Sequence, residues 1–220
     1  MFSRSLRCPL LPPIVLISIG LCACSKTDPN ASVTPDKVKE TAVATGGKQL
    51  TASGISLTFP SNWETVEMTQ GQMDTALAPL AKQPRGQEML QAAKAAYGTG
   101  LIKMMVFDPT GSKPGFMNNA NLVVTRGGAN ATLDQILESS KQQVVTLGAK
   151  ASTSKVTFPA GEFGRVESHL KDPGGHPYVA IGYVQAKGDE IDVVTFSCPE
   201  DQVGAFDAKA QAIMKSFKRS

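Results

Sequence analysis

The sequence has few of the residues from which a catalytic site or a disulfide framework is built. Its 220 residues include only two histidines, four cysteines and one tryptophan. Gly-x-Ser-x-Gly and His-Glu-x-x-His are both absent, and no Ser or Cys motif surrounds either histidine. The 22 basic and 19 acidic side chains nearly balance, so the chain lacks the electrostatic footprint of a nucleic-acid-binding protein. These absences favour a protein that is not an enzyme.

A short apolar run near the N-terminus predicts an export signal. Arg4 and Arg7 precede the apolar segment 10–21, which is shorter than the roughly 20 residues that a membrane-spanning helix needs. The next motif, Leu21-Cys22-Ala23-Cys24, resembles the lipobox of bacterial lipoproteins. The resemblance implies cleavage before Cys24 and attachment of lipid, palmitate included, to that cysteine. The alternative is an ordinary secretory signal with incidental cysteines.

The lipobox divides the chain into three predicted parts. Residues 1–23 form the signal peptide, residues 24–48 a polar flexible tether, and residues 49–220 a single folded domain. Cleavage removes two arginines and leaves 20 basic against 19 acidic side chains. Lipid rather than charge would therefore hold the protein at a membrane. By resemblance to sorted bacterial lipoproteins, whose inner-membrane retention signal is Asp at this position, Ser25 favours the periplasmic face of the outer membrane in a diderm cell.

Two kinds of hydrophobic period along residues 49–220 predict an α+β fold. Alternating or continuous apolar residues indicate strands near 55–59, 101–107, 121–126, 154–158, 163–170, 177–186 and 190–197. Helical composition or spacing occurs over 69–97, after Thr132 and after Pro199. Thr132 and Gln135 have the spacing of a capping box. We therefore expect a mostly antiparallel sheet with helices packed on it.

The two ends of this domain resemble those of PsbP-like domains. Gly54-Ile-Ser-Leu-Thr-Phe-Pro-Ser-Asn-Trp63 is similar to their opening strand and Pro-x-x-Trp corner, and Ala212-Ile-Met-Lys-Ser-Phe217 is similar to their closing helix. The superfamily includes PsbP, the Mog-type Ran binders and the lipoprotein DcrB. The resemblance implies an α-β-α sandwich and a non-enzymatic binding or accessory role. It assigns no functional residue in this chain.

Both histidines flank one predicted turn, which makes that turn a candidate metal site. His169, Asp172 and His176 offer two imidazoles and a carboxylate, a donor set suited to Zn²⁺ or another divalent cation. Pro173-Gly174-Gly175 between them favours the alternative of an exposed turn that binds nothing.

Two further candidates come from a long Gly/Pro/Asn-rich segment and a lone cysteine. Phe116 and Met117 lie near the tip of a predicted loop over 108–119, where exposed apolar side chains would offer a contact point. Cys198 is left without an intramolecular partner once Cys24 carries lipid. It is predicted to be either a buried core residue or a reactive free thiol.

These patterns together predict a membrane-tethered envelope lipoprotein whose domain binds or assists another envelope protein. The alternative is a periplasmic lipoprotein that binds a metal or a small ligand. The sequence predicts no catalytic residue, no cofactor and no nucleic-acid partner.

Overall fold

Two antiparallel sheets and two helices form the described part of the protein. The computed structural model describes residues 37–43, 46–65, 100–113, 116–126, 131–172 and 175–220. In chain order the strands are β1 (Lys39–Val43), β2 (Gly47–Ala52), β3 (Ile55–Pro60), β4 (Glu64–Thr65), β5 (Ile102–Lys113), β6 (Phe116–Arg126), β7 (Lys150–Phe158), β8 (Gly161–Lys171), β9 (Pro177–Lys187), β10 (Glu190–Pro199) and β11 (Lys218–Arg219). The helices are α1 (Leu133–Thr146) and α2 (Val203–Met214), and a 3₁₀ turn, Glu200–Gln202, precedes α2.

The larger sheet has seven strands in the order β4-β5-β6-β10-β9-β8-β7, all antiparallel to their neighbours. The smaller sheet has the order β1-β2-β3-β11. Within β10, all of residues 191–199 are buried. A strand buried along both faces needs a cover on each side of its sheet, so the larger sheet forms a middle layer. The α+β class and the mostly antiparallel sheet are as predicted.

Helix α1 covers one face of the larger sheet over β7, β8 and β9. Its capping box is confirmed: the Gln135 N–H donates to Thr132 Oγ1 at 3.3 Å, and the Thr132 N–H donates to Gln135 Oε1 at 2.9 Å. Leu137 packs over Gly164 of β8, where a Cβ atom would lie 2.6 Å from Leu137 Cδ2. The helix therefore approaches the sheet at a point that only glycine leaves open.

Helix α2 and the smaller sheet cover the opposite face. The single tryptophan, Trp63, is 1% exposed and stacks on Phe206 of α2, with ring centroids 6.0 Å apart. Phe59 of β3 contacts the same indole at 5.5 Å. Trp63 thus joins α2 to the smaller sheet within one hydrophobic core.

Two charged contacts join the C-terminal elements to the larger sheet. The guanidinium of Arg219 in β11 pairs with Glu190 and with the buried Asp192 of β10. The Lys209 ammonium of α2 donates to Asp108 Oδ2 at 3.2 Å, and this carboxylate is fully buried in β5. In both cases a basic side chain of a C-terminal element, α2 or β11, pairs with a carboxylate of the larger sheet.

Several boundaries differ from those predicted. Strand β1 pairs with β2 from Lys39 onward, inside the segment predicted as tether. The sequence does not indicate this strand, because its side chains are mostly exposed and have no alternating apolar pattern. The predicted loop over 108–119 is instead the end of a hairpin, in which Lys113 pairs with Phe116. Lys218 and Arg219, predicted at the end of the last helix, form β11. The predicted helical region 69–97 falls within 66–99, outside the described residues.

The Asp108–Lys209 pair should stabilise the fold in a pH-dependent way. Burial alone would raise the pKa of Asp108, but hydrogen bonds from Thr110 and Lys209 lower it below 3.8 overall. A carboxyl whose pKa is lower in the folded state contributes stability above its unfolded value. That contribution is lost as the pH falls through its folded value.

We expect Lys209→Met to lower the free energy of unfolding by about 1 kcal/mol at pH 7, because Asp108 stays charged without its ammonium partner. The loss should shrink as the pH falls from 3.8 through the lower folded pKa of Asp108, where the folded carboxyl gains its proton. Urea unfolding followed by Trp63 fluorescence measures both values. The exposed Lys215→Met is the matched control and should be nearly neutral at either pH. An equal loss at pH 7 and at pH 3 would contradict the assignment.

Candidate functional site

A surface groove lies at one end of the larger sheet, where four neighbouring strands begin or end. Its volume is about 500 Å³, and its described lining consists of Phe116, Asp172, His176, Pro177, Pro199, Glu200 and Asp201. Phe116 opens β6, Pro177 opens β9, Pro199 closes β10, and Asp172 follows β8. Antiparallel pairing of β6, β10, β9 and β8 therefore brings residues from distant parts of the sequence to one edge.

The turn between β8 and β9 forms one wall of the groove. Asp172 Oδ1 accepts the backbone N–H of His176 at 2.8 Å, and Asp172 Oδ2 lies 3.0 Å from His176 Nδ1. The backbones of the same two residues are joined by a hydrogen bond from Asp172 N–H to His176 O. Asp172 thus closes the turn and holds the exposed imidazole beside the groove.

The opposite wall comes from the chain that leaves β10. Glu200 and Asp201 occupy the 3₁₀ turn, and both are exposed. Glu200 Oε1 lies 2.7 Å from His169 Nδ1, and the other ring nitrogen of His169 lies 3.2 Å from Glu167 Oε1. His169 therefore links the last part of β8 to the acidic turn that lines the groove.

An aromatic pair supports the apolar side of the groove. The ring of Phe116 packs on that of Tyr178, with centroids 5.2 Å apart. Tyr178 is 3% exposed, and its hydroxyl forms no hydrogen bond in the described part of the protein. Burial, and then the charge of nearby Asp172, raise the pKa of Tyr178 well above its usual range. The phenol therefore stays neutral.

Only some of the predicted site residues lie at the groove. It brings Phe116, Asp172 and His176 to one groove but gives His169 different carboxylate partners. No group of three or more His, Cys, Asp or Glu side chains is placed to hold a metal ion among the described residues. Met117 lies in β6 with its side chain outside the description, and Cys24 lies outside the described residues altogether.

Sequence reasoning did not assign the other half of the groove. Glu200 and Asp201 fall at the start of the helix predicted after Pro199, and Pro177 and Tyr178 fall in the strand predicted near 177–186. Their proximity follows from register: Pro199 of β10 pairs with Tyr178 of β9, and Lys171 of β8 pairs with Pro177 of β9. Hairpin counting along the three strands would have placed these ends side by side.

Cys198 lies in β10, on the face that carries Phe196 and packs toward α2, and it is fully buried. Burial, and then the charges of Asp201, Asp207 and Glu167, raise the pKa of its thiol to about 12. A charge network lies nearby, in which Arg165 contacts Glu167 at 2.7 Å and Asp207 at 3.3 Å. Of the two alternatives for this cysteine, the position and the pKa favour the buried core residue.

Similar solved structures are distant in sequence. No family model matches the chain, and no curated protein is similar to it. Cyanobacterial PsbP from Synechocystis sp. PCC 6803 is similar over 89% of this chain and 99% of its own, with 9% identity and a TM-score of 0.46. LpqN, involved in cell envelope biogenesis of Mycobacterium tuberculosis, is similar over 87% and 98%, with 10% identity and a TM-score of 0.48.

A third similar structure, from Bacteroides thetaiotaomicron, has 13% identity and a TM-score of 0.43 over 76% of this chain. The chain spans 45% of that protein's length. At these scores none of the three transfers a residue role or a function to this chain. The fold class rests on the two antiparallel sheets described above. None of the helices in the described residues is long and apolar enough to cross a membrane.

We expect Cys198 to resist alkylation in the native protein. With a pKa of about 12, only about one thiol in ten thousand is ionised at pH 8, and the side chain has no exposed surface. Iodoacetamide at pH 8 should leave the peptide that contains Cys198 unmodified, as measured by mass spectrometry. The same treatment in 8 M urea, a denaturing control, should modify it fully. Rapid labelling of the native chain would show a reactive thiol.

Proposed function

We propose that this chain is a membrane-tethered envelope lipoprotein whose domain, residues 49–220, acts as a non-enzymatic binding or accessory module. Lipid on Cys24 would hold it at the membrane, and residues 24–48 would connect that lipid to the domain. The resemblance of Leu21-Cys22-Ala23-Cys24 to a lipobox supports the tether. On the same resemblance, Ser25 favours the periplasmic face of the outer membrane in a diderm cell.

The groove at the ends of β6, β8, β9 and β10 carries the proposal of a binding role. It combines exposed carboxylates with an aromatic ring and two prolines, so it offers charge and apolar surface to a ligand or partner. It does not present an activated nucleophile among the described residues. His176 contacts a carboxylate rather than a Ser or Cys side chain, and the one cysteine described is buried with a raised pKa. These contacts support binding rather than covalent chemistry.

Substitution of two neighbouring cysteines tests directly whether lipid is attached at Cys24. Cells expressing the full chain are fed an alkyne-bearing palmitate analogue, and the mature N-terminus is examined by mass spectrometry. We expect lipid on Cys24, and Cys24→Ala should abolish both labelling and cleavage. Cys22→Ala is the matched control and should retain both, because position 22 precedes the cut. An unmodified N-terminus at another residue would contradict the tether.

The same two variants test the accessory role. In-cell crosslinking with the Cys22→Ala chain should capture the same envelope proteins as the natural chain. Cys24→Ala should lose them, because a chain without lipid and with its signal segment uncleaved does not reach the membrane position of the lipidated protein. Identical capture by both variants would show that the tether is irrelevant to the partners and would count against an accessory role at the membrane.

A further inference from the structure

We propose that strand β7 (Lys150–Phe158) joins two copies of this chain by antiparallel pairing with β7 of the second copy. The two seven-stranded sheets would then continue as one sheet across a two-fold axis. This pairing requires neither the lipid nor the groove, so it goes beyond the proposed function. The open edge of β7, the directions of its backbone groups and its sequence all support it.

Strand β7 forms one edge of the larger sheet and is the longest edge strand of the described residues. It has nine residues, whereas the other edge strands, β4, β1 and β11, have two, five and two. Every residue of β7 pairs with β8 in one continuous register, without a bulge, and the strand contains no proline. Shortness, bulges and proline, which block pairing along an edge in many proteins, are therefore absent from β7.

The pairing register shows which backbone groups of β7 point away from β8. Residues of an antiparallel strand alternate between pairs that exchange backbone hydrogen bonds and pairs that do not. Just beyond the last β8–β9 pair, the Asp172 N–H donates to His176 O at 2.9 Å. Even-numbered residues of β8 therefore bond to β9, and odd-numbered residues bond to the even-numbered residues of β7.

The odd-numbered residues of β7 consequently direct their N–H and C=O groups outward. No backbone partner for these groups lies in the described part of the chain. An unpaired row of this kind is a template for a further strand. The residues that supply it are Ala151, Thr153, Lys155 and Thr157.

The sequence of β7 is compatible with pairing to itself. A two-fold axis at Ser154 brings the whole of one β7 opposite the whole of the other. In this register outward residues oppose outward residues, so their N–H and C=O groups can exchange hydrogen bonds. Neither lysine lies directly opposite a lysine, an arrangement that would be unfavourable. Lys155 opposes Thr153 of the second copy, and Lys150 opposes Phe158 of the second copy.

Helix α1 offers apolar surface beside the same edge. Asp134 of α1 contacts Lys155 of β7 at 2.8 Å, so the side of α1 that carries Asp134 faces the edge strand. Val145 lies about three turns further along the helix and therefore on the same side. Its side chain is 49% exposed, and no other large hydrophobic side chain is exposed among the described residues. A second copy along this edge would cover apolar surface as well as satisfy backbone groups.

Two single cysteines on β7 test the pairing. Ser152 and Ser154 are both exposed and lie on the same face of the strand. In the proposed register, the two copies of Ser154 oppose each other, with Cα atoms about 4.5 Å apart, a separation that a disulfide spans. The two copies of Ser152 are displaced along the strands and lie roughly 14 Å apart, which is too far for a disulfide.

We expect mild oxidation of cells that express the full chain to crosslink Ser154→Cys into a dimer at least about tenfold more than Ser152→Cys, because only the first pair lies within disulfide reach. Non-reducing gel electrophoresis measures the dimer. The natural chain gives the background, and its buried Cys198 should not react. Equal crosslinking of the two variants would show random collision and would overturn the proposal, as would the absence of a crosslink from Ser154→Cys.

A proline on the edge tests the same pairing without oxidation. Thr153→Pro removes an outward N–H and keeps the hydrogen bonds to β8, so the single chain should still fold, as Trp63 fluorescence can confirm. By light scattering in mild detergent, the purified natural chain should have the mass of two copies and Thr153→Pro the mass of one. Thr153→Ala is the matched control, because it keeps the N–H, and it should remain a dimer.

The outcomes for the edge are distinct from those for the tether. A natural chain with the mass of one copy would overturn the proposed pairing, and so would a dimer that Thr153→Pro leaves unchanged. If Thr153→Pro does not fold, the comparison of the two cysteine variants decides. None of these results bears on lipid at Cys24, which the palmitate analogue tests separately.

Discussion

The burial of β10 on both faces is the constraint on which the rest of the structure depends. A strand with residues 191–199 all buried cannot exist in a sheet that faces water, because its apolar side chains and backbone groups need cover on two sides. Helix α1 supplies cover on one side, over β7, β8 and β9. Helix α2 and the smaller sheet supply it on the other, through the cluster around Trp63. Arg219 then joins the last strand of the smaller sheet to the start of β10.

The groove is a consequence of the same arrangement. Strands β6, β10, β9 and β8 are neighbours, so their ends meet at one edge of the sheet, and the chain leaving the core there must become polar. Acidic residues are tolerated at this edge because solvent reaches them, whereas they would be costly a few residues deeper. Prolines at the first position of β9 and the last of β10 suit strand ends, where a missing N–H removes no central ladder bond. The polar walls therefore come from the two turns that follow β8 and β10, and the apolar surface comes from the strand ends.

Much of the fold was predictable because its signals are local. The capping box of Thr132 and Gln135 and the three C-terminal hairpins depend on spacings within a few residues, and the structure confirms them. Edge strand β1 was not predictable, since its exposed side chains carry no period. The site was half predictable: Phe116, Asp172 and His176 are conspicuous by type. Glu200 and Asp201 lie beside Asp172 and His176 only through the pairing registers of β8, β9 and β10, which residue type alone does not report.

The position of Cys198 reconciles a lone thiol with the proposed envelope location. An exposed free cysteine in an oxidising compartment is liable to form mixed disulfides, and the rate of that exchange depends on ionised thiol and on access. Cys198 is neither accessible nor ionised, because its side chain has no exposed surface and because burial and three carboxylates raise its pKa. One of those three, Asp201, also lines the groove. Loss of the Asp201 charge would therefore change both the charge of the groove and the pKa of Cys198. Asp172, on the other wall, contributes to the pKa of Tyr178 and not to that of Cys198.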